Sequence, residues 1–422
     1  MISLHENEAY LAQLITSVTI PNSVKHIGHS AFLNNQLTKI TLPSKLKSIG
    51  RHAFSSNKLT TITVPNSVTS ILGDIVSGNP IKSYTLPDHL QMKKDKVYQD
   101  LYYTIINNNG KKEIKITSYN QKTTKTKFTI PAKINNLPVT EIGHFAFTPH
   151  LTPLGLEQYD YTKKIVSQFS LPNSIRKIGI SAFDSTNFNQ NIEVKLPTSL
   201  VEISDYAFAN NNMSNAKKQL IIPAKVKSIG KNAFLYNQLR GVTIPNSVTT
   251  LGKGAFSSNS MNKVVIGNGV TSIHDYAFFG NKITTLTLPK TLQSIGNSAF
   301  AVNQLPRLVL PNNVVHIGKN AFSENLITSV SLPSKLTTID AETFTHNKLK
   351  TLTIPASVIS FDFSSVYSNS IQSVVLKGSK TTVTKAYTDQ IIKSIYTDAA
   401  YTQAWSAWDT LQNKPVTLYL RY

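Results

Sequence analysis

Apolar residues recur along this chain on a beat of 22 positions, and the polar residues between them keep the same beat. The clearest copy reads Asn237-Gln-Leu239-Arg-Gly-Val242-Thr-Ile244-Pro245-Asn-Ser-Val248-Thr-Thr-Leu251-Gly252-Lys-Gly-Ala255-Phe256. Prolines fall at Pro21, Pro43, Pro65 and Pro87, then at Pro245, Pro289, Pro311, Pro333 and Pro355, with Gly267 in the vacant slot. Phenylalanines stand at Phe32, Phe54, Phe234, Phe256, Phe278, Phe300, Phe322 and Phe344, and Val76 and Val366 take that slot in two weaker copies. Three residues further on comes an asparagine: Asn35, Asn57, Asn79, Asn237, Asn259, Asn281, Asn303, Asn325, Asn347 and Asn369. Three columns in register indicate a repeat architecture.

Each column has a physical task. The ending of Leu59-x-x-Ile62-x-Val64 alternates as a short strand does, apolar side chains inward and Thr outward. Proline ends the strand because it has no N–H for a ladder. Val68 and Ile71 point back into the coil. Gly50, Gly230 and Gly318 follow that isoleucine and are expected to permit a turn. Ala-Phe closes the coil with a bulky plug, on a turn or a short helical turn. The asparagine amides are expected to form a ladder that satisfies buried backbone groups of successive coils. One such coil cannot bury its apolar side alone, so the coils must stack. The expected fold is a β-rich solenoid of 22-residue coils, short strands plus turns.

The phrase Leu-x-x-Ile-x-Ile-Pro-x-x-Val-x-x-Ile-Gly-x-x-Ala-Phe-x-x-Asn resembles the BspA-type leucine-rich repeat. It covers roughly residues 9–376, apart from two irregular stretches. Members of that family are mostly secreted or surface proteins of bacteria. The resemblance implies adhesion or other protein binding, not catalysis.

The chain then divides as follows. Residues 1–87 are coils, the first incomplete, because Tyr10 and Gln13 fit the Phe and Asn slots; a trimmed N-terminus is the expectation. Leu72 to Val76 weaken the third coil. Residues 88–130 break the pattern with a hairpin around Asn109-Gly110. Pro87 to Pro131 spans two periods, so this hairpin is expected to continue the stack. It is locally basic and its tyrosines are expected to be exposed: a site for an anionic partner, or a hairpin whose lysines guard its edge. Residues 131–376 resume the coils, with an insertion at 148–164 that carries Tyr159-Asp160-Tyr161 and suits a surface loop. From 377 to 422 the period is lost. Thr384 to Ser394 fits a short helix. Tyr396 to Trp405 followed by Pro415 to Tyr422 resembles part of a Listeria–Bacteroides repeat, a small β-rich module; the same residues, with Trp405 and Trp408, also suit a C-terminal cap.

Charge adds one constraint. Lys and Arg number 43 against 22 Asp and Glu, a net charge of +21. That favours an anionic partner such as an acidic glycan, teichoic acid or a membrane surface. The lysines are dispersed over the repeats, which also fits a plain solvated surface. Outward strand slots carry Lys39, Lys82, Arg240, Lys263, Arg307 and Lys350 among Thr and Ser. These six are the candidate binding face, since the concave strand face of a solenoid is its usual binding surface. Exposed strand positions also favour Thr for β propensity alone.

Candidate chemistry is sparse. No cysteine is present, which removes disulfides and thiolate metal sites. His26 and His29 share a coil, as do His144 and His150, but no His-x-x-x-His pair, calcium loop, Gly-x-Ser-x-Gly elbow or phosphate loop occurs. No cofactor and no metal are expected. No apolar run is long enough for a membrane helix, and no signal peptide or sorting motif is visible. The expected function is a non-catalytic, adhesin-like scaffold, secreted or on the surface of a Gram-positive bacterium, that binds a host or surface protein. The alternative is a module for wall polymer or acidic glycan. No nucleic acid is expected, for want of a basic helix or strands mixing aromatics with lysine.

Overall fold

One period makes one coil, and residues 237–259 show how. Gly241–Ile244 is extended, with Val242 and Ile244 buried and Thr243 exposed. Pro245 ends the strand, and its carbonyl accepts from the Val248 N–H at 3.2 Å to close a turn. Thr250–Leu251 is a second short strand. A further turn over Lys253 to Phe256 leads to Asn259, where the phrase begins again. Coils bond to their neighbours in parallel. Gly241 to Ile244 pairs residue for residue with Lys263 to Ile266, and Thr250–Leu251 pairs with Ser228–Ile229. The computed structural model is therefore a β-solenoid. It describes residues 3–4, 15–28, 30–50, 52–71, 75–87, 96–120, 126–148, 166–186, 188, 194–211, 213, 219–377, 381–384, 394–396 and 416–421. Among the described residues the one helical element is the 3-10 turn Phe363–Val366. Elsewhere the Ala-Phe phrase sits on a plain turn.

By internal contacts the chain forms two units. One comprises Met1–Lys125, Lys133–Ile165 and Gly179–Thr186; the other comprises Thr126–Ala132, Val166–Ile178 and Asn187–Tyr422. In the first, the second strands of successive coils, His26–Ile27, Ser48–Ile49 and Ser70–Ile71, lie side by side. The hairpin belongs to this unit. Leu101–Asn108 and Lys111–Tyr119 pair antiparallel around Asn109 and Gly110, both left-handed with φ 50° and 83°, as a two-residue turn of this kind requires. The strand Lys111–Tyr119 then pairs in parallel with Leu137–Ile142. At its end Tyr119 stacks on Phe147 at 5.4 Å, and Phe147 stacks on Phe183 at 5.1 Å. Tyr119 thus occupies the phenylalanine slot of an otherwise irregular segment. The expectation of exposed tyrosines here fails. Tyr103 and Tyr119 are buried, and Tyr98 and Tyr102 are half-buried. The reason is local: Tyr103 accepts a hydrogen bond from the Asn135 amide at 3.1 Å, and Tyr119 is spent on the aromatic stack.

The second unit holds the most regular coils. Phe234, Phe256, Phe278, Phe300, Phe322 and Phe344 form one column with ring centroids 5.1–6.0 Å apart and planes within 9° of parallel. Every ring is fully buried. Stacked pairs of this kind add roughly 0.5–1.5 kcal/mol each beyond their burial. The proline column is informative at its exceptions. Gly267 and Lys377 stand where the other coils have proline, and their N–H groups donate to Ile244 and Ile354 at 2.9 and 3.0 Å. Proline forgoes that bond and in return fixes the turn. At the far end, Val416–Arg421 pairs antiparallel with Ser373–Leu376 and with Ser394–Tyr396. An antiparallel strand there covers a parallel edge that would otherwise be open to pairing.

The glycine column does something other than turn the chain. Gly252 has no left-handed φ. A Cβ on it would lie 2.5 Å from the Gly230 carbonyl carbon and the Lys231 nitrogen of the preceding coil. Glycine is there so that two backbones can touch. The left-handed residues lie elsewhere, two per coil: Asn232 and Tyr236, Gly254 and Ser258, Tyr276 and Gly280, Ser298 and Val302. The tight turns are therefore mostly made by residues other than glycine, at a strain of roughly 1–2 kcal/mol each.

Several sequence expectations fall outside the described residues: Tyr10 and Gln13, Leu72 to Asp74, the insertion beyond Thr148 with its tyrosines, and Trp405 with Trp408. Of the helix expected from Thr384 to Ser394, residues 385–393 also fall outside, while Thr384 and Ser394 themselves lie in the strands Thr382–Thr384 and Ser394–Tyr396.

Gly252→Ala should cost about 1–3 kcal/mol, since neither backbone can give way. Gly280→Asn should cost under about 1 kcal/mol, because asparagine tolerates that φ and a Cβ there would meet Ser258 only at ordinary contact distances of 3.7 Å and more. Urea unfolding of the two variants checks the order; equal losses would contradict the close-approach reading.

Candidate binding face

The inward columns are wholly committed to packing. Asn281 illustrates the ladder. Its amide N–H groups donate to Phe256 of the preceding coil at 3.0 Å and to Phe278 of its own at 3.1 Å, while its oxygen accepts from the Met261 N–H at 3.1 Å. Asn57, Asn237, Asn259, Asn303, Asn325 and Asn347 repeat the pattern. All are buried, as are the phenylalanines. No ligand can reach them without opening the stack.

A second ladder escaped the sequence reading. Asn246 accepts from the Asn268 N–H at 2.8 Å, and Asn268 accepts from the Lys290 N–H at 3.1 Å. On the opposite turn Asp205, Asp275 and Asn297 accept from Lys231, Asn297 and Lys319 at 2.7–2.9 Å. The signal was present in the Asn after proline at Asn22, Asn66, Asn173, Asn246 and Asn312.

The outward columns form the candidate face. Lys39, Lys82, Arg240, Lys263, Arg307 and Lys350 are all exposed. They do not form a single column. Lys82, Arg240, Arg307 and Lys350 stand just before the first strand of their coil, Lys263 starts its strand, and Lys39 holds the equivalent place in a coil whose first segment is irregular. Lys39 and Lys82 belong to the first unit and the other four to the second. Lys263 lies opposite Gly241 on one side and Thr285 on the other. Beside them, the Thr284 and Thr328 hydroxyls donate to the Asn262 and Pro306 carbonyls of the preceding coil at 3.2 and 3.1 Å. Their oxygens can still accept. Ile221 and Val309 add exposed apolar points on the same strand face, 72% and 74% accessible.

Among the described residues no three His, Asp or Glu side chains come together as a metal site would need, and no helix is long and apolar enough to cross a membrane.

The BspA type Leucine rich repeat region matches this chain in six copies, over residues 5–124, 155–284 and 271–390. The chain belongs to the BspA-type leucine-rich repeat family. Solved structures similar to it include the Treponema pallidum leucine-rich repeat protein TpLRR, 26% identical, covering 50% of this chain and 89% of that one with a TM-score of 0.37. A leucine-rich repeat protein from Bacteroides ovatus is 17% identical, covering 66% and 88%, with a TM-score of 0.35. The pneumococcal vaccine antigen PcpA is 20% identical, covering 63% and 80%, with a TM-score of 0.35. No curated protein matches the chain.

Within this BspA-type solenoid the charges are sorted by their place in the coil. Between residues 219 and 377 the acidic residues are Asp275, Glu324, Asp340, Glu342 and Asp362, and each lies between the end of a second strand and the next asparagine. The first-strand half of those coils carries only Lys and Arg. The ion pairs follow the same sorting: Lys177 with Glu202 at 3.0 Å and Lys319 with Glu342 at 3.8 Å both lie on the second half. With coils about 4.8 Å apart, neighbouring cations on the first-strand face repel by roughly 0.4–0.9 kcal/mol per pair before salt screening.

Among the described residues one lysine is perturbed. Burial pushes the Lys231 ammonium down to about 8 from 10.5, and the adjacent Lys253 charge adds to the shift. Burial also raises the Asp205 carboxyl, against the lowering effect of the Lys231 N–H bonded to it. For Lys231 the folded state binds fewer protons than the unfolded state between about pH 8 and 10.5. Its penalty is therefore complete below pH 8 and is relieved as pH rises toward 10.5. Lys231→Met should be the more stable protein at pH 7, and its advantage should shrink between pH 8 and 10.5. Urea midpoints of both proteins across that range check the sign; an advantage that grows with pH would contradict it.

Proposed function

We propose that this protein is a non-catalytic interaction scaffold of the cell surface, adhesin-like, that engages a macromolecular partner through the first-strand face of its coils. One observation carries the reading. The inward columns repeat coil after coil, whereas the outward strand positions vary among Lys, Arg, Thr, Ser, Asn and Val. Packing dictates the first set and leaves the second free to be used by a ligand. Family membership supports a surface role, and a protein partner is what that membership suggests first. Contact would be multivalent, with strand-face cations and the exposed Ile221 and Val309 meeting the partner over several coils. A second reading is favoured by the charge sorting: a face without carboxylates suits an anionic partner.

The test is cell attachment. Cells displaying the protein should adhere to immobilised matrix proteins or to bacterial walls, and Lys39, Lys82, Arg240, Lys263, Arg307 and Lys350 exchanged together for Ser should lower adhesion at least tenfold at equal display. A variant that adheres as well as the parent would remove the strand face from the function.

A further inference from the structure

We infer that the first-strand face of the second unit is a linear receptor for a polyol-phosphate polymer, laid across the coils with an average of one phosphate per coil. The inference deepens the anionic-partner reading above and rests on it. Successive coils present Arg240, Lys263, Lys282, Arg307, then Lys348 and Lys350, all exposed. The first strands pair in parallel register from Gly241 through Lys263 to Thr285, and in a separate ladder Leu308 pairs with Val330. The coil that begins at Asn325 has no cation in this row, and Glu324 stands in the turn just before it. None of the six cations forms an ion pair with a described carboxylate. Sequence order hides the grouping, since most of these residues are a coil or more apart along the chain; stacking of the coils, about 4.8 Å per coil, gathers them on one face in adjoining columns.

The spacing selects the ligand chemistry. A face that averages one point charge per coil matches a flexible chain with one anionic group per short repeat. A densely sulfated glycan would bring surplus charge. A glycan with one carboxylate per two sugars would leave alternate cations unmatched. Lysine heads suit phosphate as point charges, and the two arginines can grip it with two bonds. A nucleic acid also carries phosphates, but its bases need aromatic platforms. The strand-face positions between 219 and 377 carry none: their outward residues are Lys, Arg, Thr, Ser, Asn, Gln, Gly, Pro, Val, Leu and Ile. From Arg240 to Lys350 is five coils, about 24 Å of ligand.

The experiment titrates the whole chain with glycerol-phosphate oligomers of increasing length, with heparin fragments, with poly-L-glutamate and with single-stranded oligothymidylate. Affinity for glycerol phosphate should climb steeply until the oligomer spans five to six phosphates and then level off. It should fall on the order of 10²-fold between about 0.15 M and about 0.5 M salt, as four to six released counterions require. A row variant, R240Q/K263Q/K282Q/R307Q/K348Q/K350Q, should lose at least tenfold. A control variant with the same net charge, K25Q/K45Q/K47Q/K225Q/K227Q/K335Q, should stay within about threefold. Unchanged thermal unfolding shows that both variants are folded. Equal losses in the two variants, affinity that ignores oligomer length, or tighter binding of heparin, polyglutamate or oligothymidylate than of glycerol phosphate would each overturn the inference. If glycerol phosphate fails while the row variant still abolishes cell attachment, the scaffold reading stands and only the ligand is wrong. If attachment also survives in the row variant, both fail.

Discussion

Each coil leaves two backbone groups that its own residues cannot satisfy, and one asparagine from the next coil satisfies both. Asn259 bonds the Phe234 carbonyl at 2.9 Å and receives the Leu239 N–H at 3.1 Å. Both groups are buried beside a phenylalanine column that excludes water. An unmet buried donor or acceptor costs about 1–3 kcal/mol, so a coil without its successor is poorer by several kcal/mol. This makes stacking obligatory. It also fixes the period, because the amide can span that gap only when every coil places its asparagine at the same height.

That constraint divides the residues of a coil into two sets with separate duties. Leu, Val, Ile, Ala, Phe and Asn face inward and repeat because each must fit the copy of itself one coil away. Gly252 belongs with them, since its missing Cβ sets how closely two backbones approach. The outward residues face water and have no such neighbour to match. Stability of such a stack is close to a sum of coil and interface terms. A change on the strand face therefore leaves the fold almost untouched, and binding residues can vary without penalty to the core.

The period, the strand alternation, the hairpin turn at Asn109-Gly110 and the family were legible in the sequence because they rest on spacing alone. The role of the glycines was not. A glycine after an isoleucine fits a turn and a close approach equally well in one dimension, and only the neighbouring backbone tells them apart. The left-handed residues were hidden for the opposite reason: Ser258, Tyr236 and Val302 carry no sequence mark of a positive φ. Tyr103 and Tyr119 were misjudged because an irregular segment gave no column to place them in. The charge pattern was missed at the largest scale. The lysines are dispersed when read along the chain, but the fold reads them along columns, and in columns the carboxylates of residues 219–377 keep off the first-strand half while the cations occupy both halves.

Sorted charge has an energetic meaning that dispersed charge lacks. If Lys and Arg were present only for solubility, carboxylates could be placed among them, and mutual pairing would relieve the repulsion. Asp275, Asp340 and Glu342 show that this unit does hold carboxylates, yet on the other half of the coil. The first-strand face therefore keeps a self-repulsion that its own residues could have cancelled. An anion seated along that face would relieve the repulsion, and it would do so in proportion to the number of coils it crosses. The stack that makes each coil dependent on its neighbour also gathers cations that are scattered along the chain onto one face.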